Sequence, residues 1–220
     1  MVYAVASRVL RYPDEDLISE VDVLTAAATG LDERTTAGFL KTLAWLGSTP
    51  LLDAQAEYVA TFDLKRKCCL YLTYYLNGDT RRRGEALWQF QASFRDAGWD
   101  VVGELPDYLP AVLELAATGG EQVALELLGQ HRAGIRVLAE ALGELASPYE
   151  GTVRVLDAVL PASDHHLAAR VARLIVEGPP SELVGIDPGE GVSPSGACSA
   201  RVTVGPIGTQ PVYLSRKGRR

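Results

Sequence analysis

Residues 58–87 read YVATFDLKRKCCLYLTYYLNGDTRRRGEAL. An aromatic cluster (Tyr58, Phe62, Tyr71, Tyr74, Tyr75), two adjacent cysteines (Cys68, Cys69) and two basic turns (residues 65–67 and 81–83) fall within these 30 positions. Leu52, Val59 and Phe62 share one face at helical spacing, with Tyr58 beside them. Residues 63–67 are polar and break or kink that helix. Residues 68–76 are almost wholly apolar and aromatic, which makes them a buried segment. Nine residues also fit a buried strand, and periodicity alone does not separate the two. Two features favour helix. The chain shows no alternating strands to act as sheet partners, and Asn77-Gly78 followed by Asp79-Thr80 reads as a helix stop and a helix start. Gly78 adopts a left-handed conformation after a helix end without steric cost. Asp79 or Thr80 is placed to accept from the first free amides of the next helix.

Working outward, residues 2–10 form a short amphipathic helix that ends near Tyr12-Pro13. Asp14 caps a second helix running to about residue 29, closed by Gly30. Residues 33–46 carry Phe39, Leu40, Leu43 and Leu46 at core spacing, and residues 51–62 make the next helix. After Gly78 a helix continues through Trp88, Phe90 and Phe94 to Gly98. Residues 100–106 are a connector and a candidate hinge. Residues 108–117, a long leucine-rich helix over 121–145, and helices over 149–160 and 164–177 complete the body. Ser163 is placed to cap the last of these, and Gly178 to stop it. The expected architecture is all-α: a single irregular helical bundle over 1–177. Residues 178–220 hold 6 of 12 prolines and 8 of 21 glycines. Such a segment buries too little surface to offset its chain entropy, so a flexible tail is expected. A short ordered patch over 202–213 and a solvated basic end at 216–220 are part of that expectation. An alternative is that the tail folds back over a binding groove.

At 220 residues the chain is long enough for one domain with a sizeable core. The 47% apolar and 22% charged content is that of a globular protein. No apolar run approaches the roughly 20 residues of a membrane helix. The first residues have no basic head with a long apolar core, so no secretory signal is expected and the location expected is cytoplasmic. Three cysteines make no disulfide framework. Residues 1–177 carry 16 Lys/Arg against 25 Asp/Glu, a net of -9, and residues 178–220 carry 5 against 3, a net of +2. The acidic body argues against nucleic acid, which requires a broad basic face. It suits a basic peptide through complementary fields.

No catalytic constellation assembles. Cys68 and Cys69 point about 100° apart on a helix, with no second pair at zinc spacing, and read as buried thiols. His131, His165 and His166 stand beside no recognisable nucleophile and read as surface or capping residues. The glycines form no phosphate loop. Arg81, Arg82 and Arg83 oppose the dipole of the helix they open, by a few tenths of a kcal/mol each. They therefore pair with carboxylates or meet an anion, such as the phosphate of a cofactor. Asp107 and Glu114 are two helical turns apart and project from one face. With Asp63 nearby, they read either as an N-cap and solvated carboxylates or as an acidic rim. The rim would border an apolar groove of Tyr58, Phe62 and Tyr108, suited to an amphipathic peptide helix with apolar anchors inward and basic residues meeting the rim.

The quoted stretch resembles the signature region of the NarJ-type chaperones of the TorD-like group. Residues 104–114, ELPDYLPAVLE, resemble the second motif of that family. The family typically has His after the Asp, where this chain has Tyr108, so no titrating imidazole is available there. The resemblance runs over roughly residues 3–178. It implies a non-enzymatic, system-specific chaperone. Its client is the catalytic (alpha) subunit of respiratory nitrate reductase, held by its N-terminal peptide until the molybdenum cofactor is inserted and membrane docking follows. No stably bound cofactor, no metal, no nucleic acid and no membrane insertion of the chain itself are expected, and its state is monomer or weak dimer. Two other readings remain: a sibling chaperone for a molybdoenzyme with a twin-arginine leader, and a helical small-molecule sensor.

Overall fold

The computed structural model describes residues 1–161, 166–180 and 213–216. In order, these form α1 (Val2–Val9), α2 (Glu15–Ser19), α3 (Val21–Thr29), α4 (Glu33–Ser48) and α5 (Leu51–Tyr58). A π-helical turn (Val59–Asp63) and a 3₁₀ turn (Arg66–Cys68) lead to α6 (Leu72–Asn77) and α7 (Arg81–Asp96). Then come β1 (Trp99–Val101), α8 (Leu109–Ala117), α9 (Glu121–Gln130), α10 (Arg132–Glu144), α11 (Glu150–Val159), α12 (Leu167–Glu177) and β2 (Leu214–Arg216). The fold is all-α apart from one antiparallel pair, β1 with β2. No helix among the described residues is long and apolar enough to cross a membrane.

Local chemistry sets the boundaries. Asp14 Oδ1 accepts from Leu17 N at 2.7 Å and Asp32 Oδ1 from Thr35 N at 3.1 Å, capping α2 and α4. The helix expected from Asp14 to residue 29 is two, α2 and α3, and the long helix expected over 121–145 breaks at His131 into α9 and α10. Gly78 does end α6, at φ +56, and a side chain there would strike the Pro180 carbonyl. Neither expected cap of α7 bonds its amides: Thr80 Oγ1 donates to Asn77 O, and Asp79 pairs with Arg83. Gly178 stops α12 at φ +73. Ser163 and His165, and residues 181–212 with Cys198, lie outside the described residues.

The segment 68–76 is half extended and half helical. Residue 71 forms an antiparallel bridge with residue 108. Leu72 N donates to Asp107 O at 2.9 Å, and Leu109 N to Leu70 O at 2.8 Å. The strand partner missing from the sequence pattern is therefore the short run preceding α8. Helix begins only at Leu72, once those backbone groups are paired.

Helix α8 is the centre of the bundle. Seven of its nine residues are buried, Glu114 is half-buried, and it packs against α1 and α9. A helix apolar nearly all round belongs in a core. Helices α4 and α11 cross at Gly38 and Gly151, where a side chain at Gly151 would strike the Gly38 backbone and one at Gly38 the Val155 side chain. Thr42 Oγ1 bonds Pro148 O at 2.7 Å and Thr152 Oγ1 at 2.9 Å across the same contact. Helix α10 lies against α11, α12 and α6, with Arg132 and Arg136 both bound to Asp157 at 3.0 and 2.7 Å.

Candidate functional site

The expected site residues gather in one neighbourhood, where the π-turn meets the start of α8. Tyr58 Oη donates to Leu10 O at 3.1 Å and shares a 2.8 Å bond with Tyr108 Oη. The Tyr58 ring lies 4.7 Å from Phe62 and 5.5 Å, edge-on, from Tyr12. Burial drives both phenols well above their ordinary range, so neither titrates near neutrality. Phe62 is carried by the π-turn, an irregularity often found at functional sites. Asp63, at its end, is surface-exposed, and partial burial of its carboxyl raises it above the usual range.

Two expectations require correction. First, Tyr58, Phe62 and Tyr108 do not line an open groove; they are buried, Tyr108 to 6% exposure. Their aromatic surface is spent on α1, on each other and on Tyr149, whose ring is 4.9 Å from Phe62. Leu52, placed on the same face by spacing, is instead 78% exposed. Second, Asp107 is not on a rim with Glu114. It precedes α8 and is fully buried. Its Oδ2 accepts from Thr73 N at 3.1 Å and Thr73 Oγ1 at 2.5 Å, so it caps α6 from a distant part of the chain. Burial raises its carboxyl, with Thr73 and then Arg83 opposing. The three arginines divide, Arg83 taking the carboxylate-pairing reading. Arg83 binds Asp79 at 3.0 Å and lies over Tyr71 and Tyr74, 5.8 and 5.7 Å from the ring centres. Arg81 and Arg82 are exposed.

Cys68 and Cys69 are buried, and burial pushes the Cys68 thiol up to about 11. His131 is buried rather than on the surface, packed edge-on against Phe90, with Nδ1 2.9 Å from Leu127 O. No group of three or more His, Cys, Asp or Glu side chains gathers among the described residues.

The feature that spacing did not reveal is Tyr213. It is seated beside Tyr108 at 5.5 Å, edge-on, with the Arg11 guanidinium 4.7 Å over its ring and Arg11 Nε donating to its hydroxyl at 3.2 Å. Its backbone N–H bonds Glu114, whose carboxyl burial raises above the usual range. Its carbonyl accepts from Val102 N at 2.8 Å, and β2 continues along β1 with Trp99 facing Arg216. Of the sequence-named acidic residues, Asp63 thus remains at the surface, and Glu114 lies half-buried beneath Tyr213.

Residues 26–153 match the family described as nitrate reductase delta subunit. The chain is 39% identical to nitrate reductase-like protein NarX of Mycobacterium tuberculosis over 163 residues, 70% of this chain but 23% of that protein. It is 30% identical to a probable nitrate reductase molybdenum cofactor assembly chaperone, NarJ of Bacillus subtilis, over 165 residues, 73% of this chain and 88% of that one. The Escherichia coli nitrate reductase molybdenum cofactor assembly chaperone NarJ is 32% identical over 152 residues, 66% of this chain and 63% of that one. The chain therefore spans about a quarter of the Mycobacterium protein and nearly all of the Bacillus one. With more than half its length matched, the chain belongs to the nitrate reductase delta subunit family.

Proposed function

We propose that this chain is an assembly chaperone for a nitrate reductase. It binds the N-terminal segment of the apo catalytic subunit and supports molybdenum cofactor insertion before the subunit docks at the membrane. The assembly role described for the Bacillus and Escherichia relatives by their names supports this reading. The observation that carries the peptide reading is the face around the π-turn. Glu114 and Asp63 supply negative charge, Tyr12 an exposed ring, and the neighbouring pocket already accepts an aromatic side chain from an extended segment. Such a face suits a peptide with an apolar anchor and basic residues. Binding and timed release are the whole mechanism, and no bond is made or broken by this chain. The peptide-binding set is Tyr58, Phe62, Asp63, Asp107, Tyr108 and Glu114. Asp63 and Glu114 act by contact, and the other four as the support that holds them. A transient contact of Arg81, Arg82 and Arg83 with a cofactor phosphate belongs to the same reading.

The test pairs two readouts. A synthetic peptide of the first fifteen or so residues of the client subunit is titrated by calorimetry, with micromolar binding, ~-8 kcal/mol, expected. Asp63→Asn with Glu114→Gln should weaken it about tenfold or more. Separately, client purified from cells lacking this chain should contain little molybdenum. Full molybdenum content without the chain would end the assembly reading.

A further inference from the structure

A second observation concerns what occupies this face. The segment Tyr213–Arg216 lies outside residues 26–153, the part matched to the family, and is separated from Pro180 by 32 residues of chain. It is nevertheless engaged at every position. Trp99, Asp100 and Val101 face Arg216, Ser215 and Leu214 in antiparallel register, and Val102 N donates to Tyr213 O at 2.8 Å. Tyr213 is 7% exposed and Leu214 3%. Arg216 covers the Trp99 ring at 5.4 Å.

Two properties mark this as a receiving site filled by a replaceable occupant. Most of the holding bonds are main-chain bonds to a strand edge, which any extended peptide makes, with side-chain pockets adding selectivity. Among the described residues β1 has no other strand neighbour, so without β2 it presents an open edge. The fit is also incomplete. Glu114 Oε2 is buried with no hydrogen-bond partner while Tyr213 is seated. A buried carboxylate oxygen left unpaired is costly, and a peptide bringing a lysine or arginine donor to it gains a bond the resident segment does not make.

We propose that the β1 edge and the Arg11–Tyr108–Glu114 pocket form a binding site for an extended peptide carrying an aromatic anchor and a basic residue. In the resting protein the chain's own Tyr213–Arg216 fills that site, and the client peptide binds by displacing it. This rests on the peptide-chaperone reading above and adds its regulation: the chaperone holds itself closed until a better-matched segment arrives. A tethered segment acts at an effective concentration of about a millimolar. If its intrinsic dissociation constant is about tenfold lower, the site is closed about nine-tenths of the time, and client affinity drops about tenfold.

The test uses the full chain. Tyr213→Ala with Leu214→Ala should bind the client peptide about tenfold more tightly than the parent. The opposite variant, Trp99→Cys with Arg216→Cys in a Cys198→Ser background, staples the strands. Ladder alternation from the Val102–Tyr213 bond makes 99 and 216 a non-hydrogen-bonded pair, about 4.5 Å between Cα atoms, within disulfide range. Oxidised, it should lose client binding at least tenfold, and reductant should restore it. A synthetic peptide of residues 209–220 should bind the Tyr213→Ala/Leu214→Ala chain and be competed off by client peptide. Equal client affinity in parent, opened and stapled proteins overturns the displacement mechanism and leaves the chaperone function intact. Client peptide that binds none of them, while the 209–220 peptide is still captured, overturns the client reading and supports the receiving site.

Discussion

Asp107 is where the spacing argument and the structure lead to different experiments. If it contacts peptide, Asp107→Ala should leave the fold intact and abolish binding. The structure points the other way. The side chain is fully buried and its Oδ2 holds both the N–H and the hydroxyl of Thr73, itself fully buried. Truncation to Ala leaves two buried donors without partners, at roughly 1–3 kcal/mol each. It also opens a small void beside the first turn of α6. The expected loss is about 3 kcal/mol, a fall in Tm of roughly 6–12 °C for a chain this size. Asp107→Asn keeps an oxygen for Thr73 N and should cost about 1 kcal/mol. The pH dependence gives a second readout. Burial raises the folded carboxyl above its unfolded value, so its contribution is fully present below the unfolded pKa and is lost as pH rises through the folded one. The stability gap between parent and Asp107→Asn should therefore narrow from acid toward neutral pH. Urea denaturation followed by circular dichroism at several pH values measures both. An Ala variant as stable as the parent that no longer binds client peptide would refute the buried-cap argument.

Other consequences are equally direct. Gly151→Ala places a methyl group against the Gly38 carbonyl at the α4–α11 crossing and should cost about 1–3 kcal/mol in denaturant unfolding, since the two backbones must separate. His131 is held neutral by burial, its folded pKa lowered, so its contribution is present above the unfolded pKa, about 6.5, and is lost as pH falls through the folded value. His131→Asn should flatten that acid limb in thermal scans between pH 5 and 7. Cys68, with its thiol pushed up to about 11, should resist iodoacetamide at pH 8 in the native protein and react once unfolded.

The helical character of the body was legible because long amphipathic periods, Asp14 as a cap and Gly78 and Gly178 as stops are local signals that tertiary context did not override. The break at His131 was not legible, since leucines continue at core spacing on both sides of it. The two short extended pieces were not legible for a different reason. The bridge from Tyr71 to Tyr108 joins positions 37 apart, and β1 pairs with β2 more than 110 residues away. Three-residue strands carry no period of their own, so only the partner reveals them. The same limit hid Tyr213, which in sequence is one aromatic residue in a Pro/Gly-rich tail. Tyr58, Phe62 and Tyr108, read from the sequence as one cluster, do lie together, but exposure was misjudged for them and for Asp107, because a helical face does not say whether solvent or another helix covers it.

The motif that makes this chain recognisable is therefore largely a device for building the junction between the π-turn, α6 and α8. Arg66 Nε donates to Tyr74 Oη at 2.6 Å, Tyr75 Oη to Cys69 O at 2.8 Å, and Tyr71 Oη to Glu104 at 3.0 Å. Asp107 and Arg83 complete the set. Most of these polar groups are answered within the chain, Asp107 Oδ1 and Arg83 Nε being left without a hydrogen-bond partner, and a buried group so answered is strongly tied to one arrangement. A client peptide gains little from side chains already committed. Under the proposed function, what is left for a client peptide is what the motif does not use internally: Asp63, Tyr12, the edge of β1 and Glu114 beneath Tyr213. Substitutions inside residues 58–87 other than Asp63, Arg81 and Arg82 should thus act first on stability and only through it on client maturation. A variant there that fails to mature the client is informative about contact only when its unfolding free energy equals that of the parent.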